Sequence, residues 1–147
     1  MIELVRATPA HVGRIANRMR DADVLECAAM GHSPKAALRS GLMNSSEVWT
    51  AKVNGVPEAM FGVVVTSALG GLGTPWMLGT DEIYRHPRQM IRWGTQIVKS
   101  WRKQTPHMEN YVAATNGRAI RLLRRWGFRI SGEVQVFGAV EFHRFST

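Results

Sequence analysis

Arginine is the residue type through which this chain of 147 residues could do chemistry. Arg85, Arg88 and Arg92 recur at three- and four-residue spacing where a helical pattern starts, and Arg118, Arg121 and Arg125 form a second stripe at i, i+3, i+7. A guanidinium pairs well with phosphate oxygens, so both groups point to an anionic partner. The net charge of +8 and the pI of about 10.8 agree. Such an excess favours nucleic acid, a membrane surface or a phosphate-rich cofactor, and charge alone does not choose among them. Basic side chains in a first helical turn oppose the helix dipole. The 85–92 cluster is therefore odd unless it meets an anion; a solvated basic turn is the plain alternative.

Other chemistries find less support. His11, His32, His86, His107 and His143 are scattered without metal-ligand spacing, so no metal is expected. Cys27 is the single cysteine, which excludes an internal disulfide. Nothing beside it in sequence would lower its pKa, and a buried structural thiol is the better reading. The glycines at 70, 71 and 73 precede Thr-Pro and a strand, whereas a phosphate loop precedes a helix. There is no run of apolar residues long enough to span a bilayer and no secretory signal pattern in "MIELVRATPA", so a cytoplasmic location is expected. Length and a hydrophobic content of 45 % suit one globular domain, 1–147.

The elements that must position these residues follow from periodicity. Residues 2–7 alternate as a strand; Thr8-Pro9 opens a helix with Val12, Ile15, Ala16 and Met19 on one side. Short helices are expected near 22–30 and 34–43. Strands 47–54 and 57–68 flank Asn54-Gly55, a strong hairpin signal, and Gly62 marks a bulge. A turn over 69–75 leads to a strand at 76–80. A helix over 87–103 turns Met90, Ile91, Ile97, Val98 and Trp101 inward, and 109–115 is a strand. The stretch "ATNGRAIRLLRRWGF" (114–128) is a helix with Asn116 at its start, Gly127 at its end and Ile120, Leu123 and Trp126 inward. Two closing strands follow. The order β-α-α-β-β-β-α-β-α-β-β, with a third short helix before the second strand, is an α+β fold: one mixed, mostly antiparallel sheet flanked by helices.

That order, with Asn116, Ala119, Gly127 and Phe128 in their spacing, resembles the GCN5-related N-acetyltransferase (GNAT) superfamily. The stretches Trp76–Thr80, Asn110-Tyr111-Val112, Asn116, Ile120-Arg121, Leu123, Gly127 and Gly138…Phe142…Phe145 are similar to the GNAT-like proteins of T7-type phages and prophages, which include an internal virion protein. The likeness covers residues 46–147; the first 45 match in element order. Two departures stand out. The family's glycine-bearing pyrophosphate loop finds its nearest register at Gln89-Met90-Ile91-Arg92-Trp93-Gly94, where Arg92 replaces the first glycine. Leu123 stands where many members keep a tyrosine that protonates the leaving thiolate.

The resemblance implies acetyl-CoA as cofactor and an amine acceptor. Met77, Leu78, Gly79 and Thr80 would offer backbone partners to the pantetheine arm, lying between parted strands like an added strand. Arg85, Arg88, Gln89, Arg92, Arg118 and Arg121 would meet the phosphates. Asn116 would contact the cofactor or acceptor, although a helix N-cap, which needs no ligand, is the better-supported reading of it. Amine activation needs a base, for which Glu58 and Glu82 are the candidates, Asp81 beside them, all read as surface carboxylates. Three functions follow: an acetyl-CoA-dependent N-acetyltransferase with a degenerate pyrophosphate loop, encoded by a phage or prophage and working in the host cytoplasm; a non-catalytic GNAT-like virion or assembly protein contacting other phage proteins; or a nucleic-acid-binding module using the arginine stripe.

Overall fold

A computed structural model describes all 147 residues. Seven strands form one sheet: β1 (Ile2–Arg6), β2 (Glu47–Val53), β3 (Val56–Ser67), β4 (Leu72–Gly79), β5 (His107–Ala113), β6 (Arg129–Phe137) and β7 (Val140–Ser146). Their order is β1-β2-β3-β4-β5-β7-β6. Five α-helices, α1 (Pro9–Ala16), α2 (Asp21–Ala29), α3 (Pro34–Asn44), α4 (Pro87–Gln104) and α5 (Gly117–Arg125), and a 3₁₀ turn at Asp81–Arg85 complete it. All pairings are antiparallel except β4 with β5, which α4 joins as a crossover. The expected mixed sheet and element order are present.

Local chemistry explains most boundaries. Pro9 and Pro34 stand at the first positions of α1 and α3, where a missing N–H costs nothing. Asn54 and Gly55 adopt φ of 49° and 81° and join Val53 to Val56 in a two-residue hairpin. Gly138 and Ala139 do the same between β6 and β7 at φ of 53° and 64°.

Three expectations are corrected. β4 begins at Leu72, inside the glycine-rich stretch read as a turn, because 72–75 pair with Val63–Ser67. β5 runs 107–113, not 109–115. The irregularities of the sheet lie at Ala51/Lys52, Val65/Ser67 and Ile130/Val134, not at Gly62. Gly62 is small for another reason: a Cβ there would stand 2.6 Å from the Glu47 carbonyl and 3.2 Å from the Trp76 indole nitrogen.

The sheet buries apolar side chains on both faces. Val12, Ile15, Leu38 and Met60 pack under α1 and α3. Phe61, Met90, Val98, Trp101, Leu122 and Phe128 form the larger core under α4 and α5. Phe61 stacks on Trp93 at 4.7 Å, and Trp93 meets Trp126 at 5.8 Å. Trp49 and Trp101 both donate their indole N–H to Glu47 Oε2, at 2.8 and 2.7 Å.

Gly94 brings α4 onto α5. A Cβ at Gly94 would lie 2.1 Å from the Trp126 indole, whose N–H donates to the Met90 carbonyl at 3.1 Å. Gly94 therefore serves helix packing. The register Gln89–Gly94 sits wholly inside α4, and Gln89 accepts a hydrogen bond from the Ile2 N–H at 2.7 Å. Gly94→Ala should lower stability by roughly 1–3 kcal/mol through overpacking. Urea denaturation measures it, and an unchanged midpoint would contradict the packing.

Candidate functional site

β4 and β5 pair at only two positions, Leu72 with His107 and Gly73 with Met108. Beyond these the strands part. The opening leads into a cavity of about 640 Å³ reached by Trp76, Met77, Tyr111, Asn116, Leu123 and Trp126, with α2 and α3 on its far wall. A smaller hollow of about 50 Å³ on the α4 side shares Pro75, Trp76 and Met77 with it. The opening thus reaches both faces of the sheet.

Parting two strands exposes peptide groups that a ladder would have satisfied. The register tells which. Thr80 donates its N–H to the Glu58 carbonyl of β3, so even-numbered residues of β4 face β3 and Gly73, Pro75, Met77 and Gly79 face the opening. On β5, Ala114 donates to Glu141 beside β7, which leaves Tyr111 and Ala113 facing the opening.

Side chains close most of these edges. At the narrow end Asn110 bridges the strands: its amide donates to the Pro75 carbonyl at 2.8 Å and its oxygen accepts from the Tyr111 N–H at 2.8 Å. At the wide end α2 lies across the mouth. Asp23 Oδ2 accepts from the Gly79 N–H at 2.9 Å, and Glu26 Oε1 accepts from the Ala113 N–H at 2.9 Å. The Arg20 N–H donates to the Gly79 carbonyl at 3.0 Å, and Met19 bridges to Thr80. Between the two closures the Met77 peptide faces the cavity.

The mouth is a buried polar network. The Arg20 guanidinium donates to Asp23 Oδ1 at 3.0 Å and to Asn116 Oδ1 at 3.2 Å, and it stands 4.3 Å over the Tyr84 ring. Asn116 Nδ2 donates to Glu26 Oε1 at 3.0 Å. Arg20, Asp23 and Asn116 are 7, 4 and 3 % exposed, so the network is largely cut off from water. Burial raises the Asp23 carboxyl to about 7, against the opposing pull of Arg20 and the Gly79 N–H. Burial also raises Glu26, opposed by Asn116 and the Ala113 N–H. It raises the Tyr84 hydroxyl, and the Cys27 thiol to about 12. Cys27 is a buried, protonated thiol, as its surroundings in sequence indicated.

The residues singled out by sequence divide sharply. Met77, Leu78 and Asn116 line the cavity; Gly79 and Thr80 end its β4 wall, with Gly79 already engaged by Arg20 and Asp23. Asn116 does begin α5, but its side chain makes no cap bond; it is spent on Arg20 and Glu26. Arg85, Arg88, Arg92, Arg118 and Arg121 are exposed, and Arg85 pairs with Glu82 at 3.0 Å. Glu58 is not a surface carboxylate. It is 4 % exposed, gripped by Arg18 Nη1 at 2.9 and 3.0 Å and by the Thr80 hydroxyl, and lies outside the cavity. Glu82 also lies outside the cavity and pairs with Arg85 and His86. Sequence reasoning missed Arg20, Asp23, Glu26 and Asn110. One signal for two of them was present: Asp23, Glu26 and Cys27 share a face of α2 at i, i+3, i+4, an acidic pair beside a buried thiol.

The raised Asp23 carboxyl has a consequence for stability. Its folded pKa of about 7 exceeds the ordinary 3.8, so the folded state holds the proton more tightly. The stabilisation is fully present below the ordinary value and is lost as pH rises through about 7; Glu26 shifts in the same direction. Asp23→Asn should therefore flatten the fall in urea midpoint between about pH 4 and about pH 7. An equally steep fall in the variant would contradict the assignment.

No protein-family profile matches the chain, and no curated protein does. Solved structures do. The aminoglycoside acetyltransferase AAC(6')-Ib in complex with coenzyme A superposes with a TM-score of 0.67 at 16 % identity, over 100 % of this chain and 94 % of that one. A GNAT-family acetyltransferase from Bacillus anthracis gives 0.72 at 7 %, over 99 % and 93 %. A ribosomal-protein-alanine N-acetyltransferase from Brucella melitensis gives 0.67 at 12 %, over 99 % and 98 %. At these identities the likeness is one of architecture, and the chain has the GNAT fold.

Proposed function

We propose that this protein is an acetyl-CoA-dependent N-acetyltransferase. The observation that carries the reading is the parting of β4 from β5 around a cavity onto which the Met77 peptide opens. An extended amide-bearing arm can pair with that peptide as a short added strand. Solved neighbours of the same fold hold coenzyme A or acetyl-CoA, which supports the same ligand here. The sequence resemblance to phage proteins supports a phage or prophage setting.

The residues fit such a cofactor in part. The cavity is lined mainly by apolar and aromatic side chains with a few polar groups, as a pantetheine arm needs. A glycine-lined phosphate cradle is absent, because Gly94 is packed against Trp126 and Gln89 is bound to Ile2. Arg88, Arg92, Arg118 and Arg121, exposed and outside every ion pair, are the groups we assign to the phosphates in its place.

Bound acetyl-CoA supplies an acetyl group on a thioester. This chain must orient it and take a proton from the attacking amine. Glu58 and Glu82 lie outside the cavity, so we assign the proton to Glu26, a half-buried carboxylate on the cavity wall whose pKa burial raises. Leu123 lines the cavity without a proton to give; Tyr84 and Tyr111 line it too and can supply one to the departing thiolate.

A second reading, a GNAT-like virion or assembly protein without catalysis, is favoured by one observation. Arg20 and Asp23 already occupy the β4 edge at Gly79, so a full-length arm must displace them. Calorimetry with acetyl-CoA separates the two. The catalytic reading requires binding, and Glu26→Gln, which keeps an acceptor for Ala113 and Asn116, should bind acetyl-CoA normally while turnover of a polyamine or aminoglycoside panel falls about 100-fold. No binding at millimolar acetyl-CoA would leave the non-catalytic reading.

A further inference from the structure

In the proposed reading the cofactor accounts for Arg88, Arg92, Arg118 and Arg121. It does not account for six cations farther along the same face of the sheet: Lys99, Arg102 and Lys103 on α4, Arg124 and Arg125 at the end of α5, and Arg129 at the start of β6. All six are exposed. Lys99, Arg102 and Lys103 share one side of α4 at i, i+3, i+4. The Arg102 guanidinium reaches across to donate to the Gly127 carbonyl at 3.4 Å, so the two helices bring the two halves of the group together. Arg124 and Arg125 flank Gly127 on one side and Arg129 on the other.

Nothing balances this charge. The only carboxylate between residues 85 and 129 is Glu109, and it pairs with Arg144 at 3.2 Å. None of the six takes part in an ion pair. A helix C-terminus favours a cation within its last turn, but Lys99 and Arg129 lie outside those turns. Like charges this close repel, and a polyanion relieves the repulsion.

We infer that the α4–α5–β6 corner binds the phosphate backbone of duplex nucleic acid without reading sequence. Two features exclude other polyanions. The exposed large apolar residues include none on α4 or α5, and the two on β6, Val134 and Val136, lie in its far half, away from Arg129, so the six cations have no apolar group beside them to insert into a lipid surface. It also presents no exposed aromatic ring on which unpaired bases could stack, which favours a duplex over a single strand. Four of the six cations are arginines, suited to phosphate oxygens. The surface adjoins the arginines assigned to the cofactor, since Arg121 and Arg125 share one side of α5, but none of its six cations is among them, and the proposal does not depend on acetyl transfer.

Fluorescence anisotropy with a labelled duplex of roughly 20 base pairs tests this. Six neutralised phosphates would make affinity fall roughly thousandfold between about 50 and about 200 mM salt. The triple variant R124E/R125E/R129E should bind at least about tenfold more weakly. A control with the same change of charge on the opposite face, R14E/K35E/R39E, should bind nearly as the parent does. Circular dichroism confirms that both variants fold. Saturating acetyl-CoA should leave duplex binding unchanged. Absence of binding at about 50 mM salt, equal losses in both variants, displacement by acetyl-CoA, or binding of phosphatidylserine vesicles in preference to the duplex would each overturn the proposal.

Discussion

Two parallel strands that part leave rows of peptide groups facing a gap, and each buried group must find a partner or carry a penalty of about 1–3 kcal/mol. The candidate site is a set of answers to that constraint. Asn110 answers it at the narrow end, with one amide serving both strands. Helix α2 answers it at the wide end, where Asp23 meets β4 and Glu26 meets β5. Arg20 and Asn116 then hold the two carboxylates in place. The cavity between these closures exists because neither reaches Met77.

This arrangement ties electrostatics to architecture. Asp23 and Glu26 sit where burial resists their ionisation, yet each accepts N–H donors that favour it. The balance leaves Asp23 titrating at about 7, so the stability of the closed mouth falls as Asp23 ionises. A ligand that offers its own amide groups to Gly79 and Ala113 would replace α2 at both edges. The same helix is therefore both the wall of the site and the element that must yield.

What was legible in the sequence was what neighbouring residues decide. Thr8-Pro9 starts a helix, Asn54-Gly55 turns a hairpin, and the spacing of Met90, Val98 and Trp101 marks the buried side of α4. Asn116, Gly127 and Phe128 placed α5 and with it the fold. What was not legible depends on partners far along the chain. Glu58 is buried because Arg18, forty positions away, reaches it. Asn116 abandons a local cap for Arg20 and Glu26, each about ninety or more positions away. Gly94 looks like the remnant of a phosphate loop until Trp126 is seen against it. Helix α2 was expected as an element, but nothing in its nine residues says that it crosses the gap between two strands.

The central claim is that the gap between β4 and β5 is the ligand site and that α2 closes it. Amide NMR during an acetyl-CoA titration tests it most directly. The account predicts that the N–H signals of Met77, Gly79 and Ala113 shift together and saturably, as the arm meets Met77 and displaces Asp23 and Glu26. Binding that leaves these three amides unmoved would contradict it.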